Sequence, residues 1–174
     1  IVSIGRLSEE KGHRYLLDAI RIYSQNRVSS GLPDLQLHLV GEGPCRQALE
    51  EQIRSLGIQP QVRFHGHLSN PYSLLKSSSL MVLPSLYEGL PNVLLEAMVC
   101  RVPVLATSTE QGAGEWLRDN PLGELVPVQD SAALAKGIQD RFSAPQRWLD
   151  RLDPAYEFVA QTHSLSQWLD RIQE

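Results

Sequence analysis

Residues 80–98 read LMVLPSLYEGLPNVLLEAM, and their order of apolar run, loop and second apolar run decides the fold. Leu80 to Leu83 is a short continuous apolar run with strand character. From Pro91 the pattern becomes helical, because proline suits a first helical position and Val93, Leu94, Leu95, Ala97 and Met98 follow without a break. One charge interrupts them. Glu96 falls about a turn and a half inside the expected helix, with apolar neighbours on both sides, so its carboxylate faces a partly buried surface and needs donors. Glu88 lies in the loop before the helix and is expected to be the more exposed of the two. Two carboxylates at the mouth of one strand-to-helix turn suit a polyol.

Working outward, the same alternation repeats. Residues 1–5 (IVSIG) read as a buried strand, followed by a helix carrying Leu16, Leu17, Ile20 and Tyr23. A second strand spans Leu35 to Val40, and a helix begins at Pro44, presents Leu49, Ile53 and Leu56, and stops at Gly57. Val62 to Gly66 is a third strand and Tyr72 to Lys76 a short helix. After the central motif come a fifth strand, Val102 to Ala106, a weak helical stretch near Glu115 to Asp119, a sixth strand, Leu122 to Val128, and a helix over 131–142. The tail to Glu174 reads as helical pieces broken by Pro145 and Pro154. Short strands alternating with helices predict an α/β fold: a Rossmann-like, doubly wound parallel sheet of about six strands with helices on both faces. The expected division is a Rossmann-like unit over 1–142 and a helical extension over 143–174. In such sheets ligands bind outside the carboxyl ends of the strands, and the unusual polar residues all fall there.

Composition narrows the classes. The 174 residues are 42% hydrophobic and 21% charged, as in an ordinary globular domain, and 16 Lys plus Arg against 20 Asp plus Glu give a net charge of −4. A nucleic-acid partner is therefore not expected. Cys45 and Cys100 form no CxxC pair and have no His at metal-ligand spacing, so packing or surface thiols are expected, and no metal site. No apolar run approaches the ~20 residues of a membrane span. With no signal-peptide pattern, a cytoplasmic setting is the expectation. The chain opens on a strand pattern without an initiator Met, as expected of a piece of a longer protein.

The strand-end loops carry the chemistry. GRLSEEKG (5–12) places Arg6 and Lys11 beside glycines, which suits a diphosphate or, alternatively, a solvated loop. Gly41-Glu42-Gly43-Pro44 lacks the third glycine and the acidic partner of a dinucleotide fingerprint, so a dehydrogenase is not expected and a tight turn near a nucleotide is. The backbone amides at the start of the helix after Pro91 would attract phosphate. Glu96 could bind both hydroxyls of a ribose and Glu88 the sugar beyond. The alternative is a loop charge at Glu88 and an ion-pair partner at Glu96. His65 and His67 lie near the same edge and His13 beside Lys11; all three are expected to be structural or solvent-facing. Trp148, Phe158 and Trp168 read as packing residues of terminal helices.

GRLSEEKG, VGEGP (40–44), VRFHGHL (62–68) and the ExxPxxxxE arrangement of Glu88, Pro91 and Glu96 together resemble the retaining nucleotide-sugar glycosyltransferases of the GT-B fold. More narrowly, they resemble the large group 1 family, numbered four, over residue 1 to about residue 140. The resemblance implies the carboxyl-terminal, donor-binding half of such an enzyme. It would transfer a hexosyl group from a nucleoside-diphosphate sugar, UDP- or GDP-linked, to a glycan, lipid or other acceptor. It implies Glu88, Arg6 and Lys11 as catalytic, the two cations neutralising the leaving diphosphate. It implies Gly5, Arg6, Lys11, Gly41, Gly66, His67, Leu68, Glu88, Gly89, Leu90, Pro91, Asn92 and Glu96 as donor-binding, with Glu96 on the ribose and 66–68 beneath the base. The chain contains no Asp-x-Asp, so a metal-independent reaction without a separate cofactor is expected. The resemblance implies an acceptor held by an absent amino-terminal domain, with Trp168 on a terminal helix that crosses back to it, and peripheral association at the inner face of a membrane for a lipid-linked acceptor. The family's Gly-Gly-x-x-Glu is here Gln111-Gly112-Ala113-Gly114-Glu115, which leaves that loop's donor contacts open, and the glycine turn before the sixth strand is Asn120-Pro121. An inactive nucleotide-binding or scaffolding module of the same fold is the alternative. A phosphorylase is disfavoured, since no lysine stands in a pyridoxal-phosphate context.

Overall fold

The computed structural model describes residues 1–89, 91–119 and 123–162. Its strands are β1 (Val2–Ile4), β2 (Leu37–Val40), β3 (Val62–Gly66), β4 (Met81–Leu83), β5 (Val104–Thr107) and β6 (Glu124–Val126). They form one sheet in the order β3-β2-β1-β4-β5-β6, and every recorded pairing is parallel. Helices α1 (His13–Arg27), α2 (Arg46–Leu56), α3 (Tyr72–Lys76), α4 (Asn92–Val99), α5 (Ala113–Asp119), α6 (Ser131–Ser143), α7 (Pro145–Leu149) and α8 (Leu152–Thr162) complete it. This is the doubly wound α/β architecture read from the sequence.

Period-two side-chain alternation builds two cores from one sheet. Leu37, Leu39, Val82 and Leu105 join one apolar cluster with Leu16, Ile20 and Tyr23 of α1, Leu49 and Ile53 of α2, Leu134 and Ile138 of α6, and Trp148 of α7. Val2, Val40, Met81, Leu83, Val104 and Ala106 join the other, with Leu94, Leu95 and Met98 of α4 and Val159 of α8. α4 buries five of its eight residues, which leaves few positions for polar groups. Each such leucine contributes roughly 1.5–3 kcal/mol by burial.

Several boundaries differ from the sequence reading for visible reasons. Pro91 is the N-cap of α4 rather than its first residue, since its ψ of 133° is extended and Leu94 N–H closes onto its carbonyl. Pro44 lies in a turn two residues before α2. Gly57 does stop α2, at φ 67°. Pro145 opens α7, but Pro154 does not break the tail: it sits in the first turn of α8, where its missing N–H leaves no intrahelical bond unmade. The expected start of the sixth strand at Leu122, the Asn120-Pro121 turn, and Trp168 lie outside the described residues.

Candidate functional site

β1 has β2 on one side and β4 on the other, so the β1/β4 boundary is the switch point of the sheet. On its β1 side, three loops lie against one another. Gly5 N–H donates to Val40 O at 2.9 Å, Gly41 N–H to Gly66 O at 2.7 Å, and Leu7 N–H to Glu42 O at 2.9 Å. A Cβ on Gly41, where φ is 134°, would lie 1.9 Å from Gly5 O. Loop-to-loop contact alone thus accounts for this glycine. The loops leave a cleft of about 450 Å³ lined by Gly5, Arg6, Gly41, Glu42, His67 and Leu68. Five residues expected at a donor site therefore share one cavity, with Gly66 at its back through the Gly41 bond.

On the β4 side the geometry is tighter. Glu9 to Lys11 form a 3₁₀ turn capped by Gly12 at φ 63°, and a Cβ there would lie 2.0 Å from Pro84 O. Leu86 N–H donates to Glu10 O at 2.7 Å, so the turn after β1 is pinned to the loop after β4. This close approach puts Lys11 Nζ 2.5 Å from Glu88 Oε1, while the Ser85 hydroxyl donates to Glu88 Oε2 at 2.8 Å. The buried Thr107 hydroxyl donates in turn to the Ser85 carbonyl. Glu88 is nevertheless well covered: its side chain is only 10% exposed, because the Lys11 turn folds over it.

Past Glu88 the surface opens. A Cβ on Gly89 would meet nothing within 4 Å, whereas one on Gly112 (φ 71°) would lie 2.0 Å from Glu88 O. The Gln111–Glu115 loop thus backs the Glu88–Gly89 main chain, and the surviving glycine is the one that contact requires. Leu90 lies outside the described residues; Pro91 and the exposed Asn92 then lead into α4. Glu96 is half-buried on that helix and accepts a hydrogen bond from the Tyr72 hydroxyl at 3.2 Å.

The histidines separate. His67 lines the Arg6 cleft, but His65 Nε2 lies 2.8 Å from His38 Nδ1, out on β2 and β3. His13 is 3% exposed and belongs to the interior, where burial and then the Lys11 charge lower its pKa to about 4. Burial pushes the Cys100 thiol up to about 11, as for a packing cysteine, and both cysteines are free. Among the described residues no group of three or more His, Cys, Asp or Glu could hold a metal ion, and no helix is long and apolar enough to cross a membrane. Sequence reasoning missed the roles of Ser85 and Tyr72 and left that of Gly112 open. Their roles come from contacts across the chain, and only Ser85, three residues before Glu88, carried a local hint.

Comparison with known proteins adds the following. The family model described as Glycosyl transferases group 1 matches residues 1–150. A Campylobacter jejuni N-acetylgalactosaminyltransferase acting on a diphospho-undecaprenol-linked saccharide is 30% identical over 164 residues, covering 94% of this chain and 41% of that protein. The alpha-D-kanosaminyltransferase of Streptomyces kanamyceticus is 28% identical, covering 99% and 44%. The crystal structure of Anabaena HepE in complex with UDP-glucose superposes with a TM-score of 0.82 at 26% identity, covering 99% of this chain and 47% of that one. The carboxyl-terminal domain of a Francisella tularensis group 1 glycosyl transferase matches in fold, with a TM-score of 0.75 at 23% identity, covering 93% and 85%. The chain spans less than half the length of the curated relatives it matches.

Proposed function

Because this chain belongs to the group 1 glycosyl transferases, we propose that it is the donor-binding, carboxyl-terminal half of a retaining enzyme that moves a hexosyl group from a nucleoside-diphosphate sugar to a glycan, lipid or other acceptor. The observation that carries this reading is the Lys11–Glu88–Ser85 cluster at the switch point, beside the Arg6 cleft.

The base and ribose lie in the Arg6–His67 cleft, with Glu96 toward the ribose hydroxyls. The diphosphate crosses the switch point. Lys11 has three N–H donors and gives one to Glu88, which leaves two for phosphate oxygens. Arg6, exposed at the cleft edge, supplies the second cation. As the glycosidic bond to the nucleotide stretches, negative charge grows on the leaving diphosphate and positive charge on the sugar. The two cations meet the first. Glu88, held from both sides and unable to swing away, accepts from the sugar hydroxyls with its remaining lone pairs and faces the second. These side chains supply the charge stabilisation without a metal ion.

A lipid-linked acceptor would bring the full-length protein to the cytoplasmic face of a membrane by peripheral association. The acceptor in the name of the Campylobacter relative supports this reading. The test is calorimetric titration of the chain with UDP, GDP, ADP and their sugars. At least one nucleotide should bind, and Lys11→Met should weaken it. If none of the three binds, the donor-site reading fails.

A further inference from the structure

A separate cleft of about 260 Å³ is bounded by the loop after β1, the start of α1 and the first turns of α2, where Glu9, His13, Cys45, Leu49 and Gln52 line it. None of these residues lines the Arg6 cleft. The two clefts also lie on opposite faces of the sheet: Cys45 and Leu49 pack with the α1–α2 core, whereas Val40 and Leu68, at the Arg6 cleft, pack with the α4 core. The volume falls just under the usual range of about 300–1,000 Å³ for drug-sized ligands, so the cleft suits something smaller.

Its walls offer acceptors that no protein donor meets. His13 is 3% exposed, yet its Nδ1 has no hydrogen-bond partner, one of three such buried side-chain nitrogens among the described residues. An unpaired buried polar atom is costly, so this one calls for a partner. Burial, and then the Lys11 charge, lower the ring's pKa to about 4, which keeps it neutral at pH 7; with the proton on Nε2, Nδ1 is an acceptor. Gln52 Nε2 donates to Arg14 O and to Asp18 Oδ1, at 2.9 Å each. Both partners are acceptors, which fixes the orientation of the amide and leaves Gln52 Oε1 as a second acceptor. At the rim, the exposed Glu9 carboxylate has no hydrogen bond or ion pair among the described residues. The neighbouring Arg14 guanidinium is drawn over the Tyr15 ring instead, 5.1 Å from its centroid.

Three acceptors, one of them charged, share the cleft with the apolar side chains of Ala48 and Leu49. A primary ammonium on a short apolar body matches that set, with three N–H donors and a positive charge. An anion would meet bare lone pairs and the Glu9 charge. A neutral alcohol has a single donor and leaves the Glu9 charge unanswered. We propose that this cleft binds a small primary amine in its ammonium form, held by His13 Nδ1, Gln52 Oε1 and the Glu9 carboxylate. The site uses none of the residues assigned to the donor and stands independently of it.

The test is NMR titration of this chain with n-butylammonium, 1-butanol and butyrate, which share one body and differ in head group. Butylammonium should bind about tenfold more tightly than 1-butanol, the value of one hydrogen bond to a charged group, and butyrate should not bind. His13→Leu and Gln52→Leu should each weaken butylammonium by about the same factor; the second stands in if the first, at a buried position, does not fold. Bound butylammonium should also slow alkylation of Cys45 by iodoacetamide, with Cys100, whose thiol is pushed up to about 11 by burial, as the unreactive reference. Saturating UDP should leave each of these results unchanged. Absence of butylammonium binding, equal or tighter binding of 1-butanol or butyrate, binding indifferent to both substitutions, or an unprotected Cys45 would overturn the proposal. So would displacement by UDP, which would move the amine to the carboxylates of the donor site.

Discussion

Replacing Gly12 with alanine tests the junction that brings Lys11 to Glu88. Two costs add at this position. A non-glycine residue at φ 63° loses roughly 1–2 kcal/mol in the left-handed region. The new Cβ would also lie 2.0 Å from the Pro84 carbonyl oxygen, far inside contact distance and against backbone that cannot swing aside. Forcing such a group into a packed site costs roughly a further 1–3 kcal/mol. Gly57 provides the matched control: its φ is 67°, but a Cβ there meets nothing within 4 Å, so Gly57→Ala carries the first cost alone. Urea unfolding of both variants should therefore separate them by about 1–3 kcal/mol, with Gly12→Ala the less stable. Relief of the overlap moves the Glu9–Lys11 turn away from β4, and the Lys11–Glu88 contact at 2.5 Å cannot survive a shift of that size. Nucleotide affinity measured on the folded fraction should fall with it. Equal destabilisation of the two variants, or full UDP affinity in Gly12→Ala, would refute the argument.

Glu96→Gln should weaken binding of a nucleotide by about 1.5–3 kcal/mol in calorimetry, the value of a hydrogen bond to a charged group, and unchanged affinity would remove Glu96 from the ribose. Tyr72→Phe deletes the hydroxyl 3.2 Å from Glu96 and should cost about 0.5–1.5 kcal/mol in the same titration. Glu88→Ala should impair sugar transfer by the full-length protein more than binding of the bare nucleotide; an equal fall in UDP affinity would place Glu88 elsewhere than on the sugar. His13 gives a pH dependence with a defined sign. Its pKa is lowered from 6.5 to about 4 in the fold, so the unfolded chain binds more protons between those values and stability falls as pH drops through that window. The loss amounts to about 3 kcal/mol by pH 4. Urea midpoints should fall from pH 6.5 to 4 in the parent and fall less in His13→Leu.

Much of this was legible in the chain because it was local. The strand-helix alternation, the stop at Gly57 and the buried apolar face of α4 depend on residues a few positions apart. The depth of Glu88 was not legible. It follows from a lysine 77 residues away that reaches it only because Gly12 can rest on Pro84. Gly41 carries a demand that its GEG turn did not reveal: besides lining the cleft, it must lack a side chain because the carbonyl of Gly5 lies against it. Pro154 looked like a helix breaker, since a proline's effect depends on whether it falls in the first turn, and that boundary is set by the packing of α8 against α4.

The pairing of Lys11 with Glu88 joins the β1–β3 half of the sheet to the β4–β6 half, and the order of assembly follows from it. Such a contact, between residues 77 apart, closes a larger loop than the helix-connected strand pairings inside each half, such as Val2 with His38, and forms more slowly. A partly folded chain with one half ordered has no switch point and therefore no cluster. Competence to hold a nucleotide is thus acquired only with the final docking of the two halves, and any ligand captured there stabilises the finished fold against reopening along the β1–β4 seam.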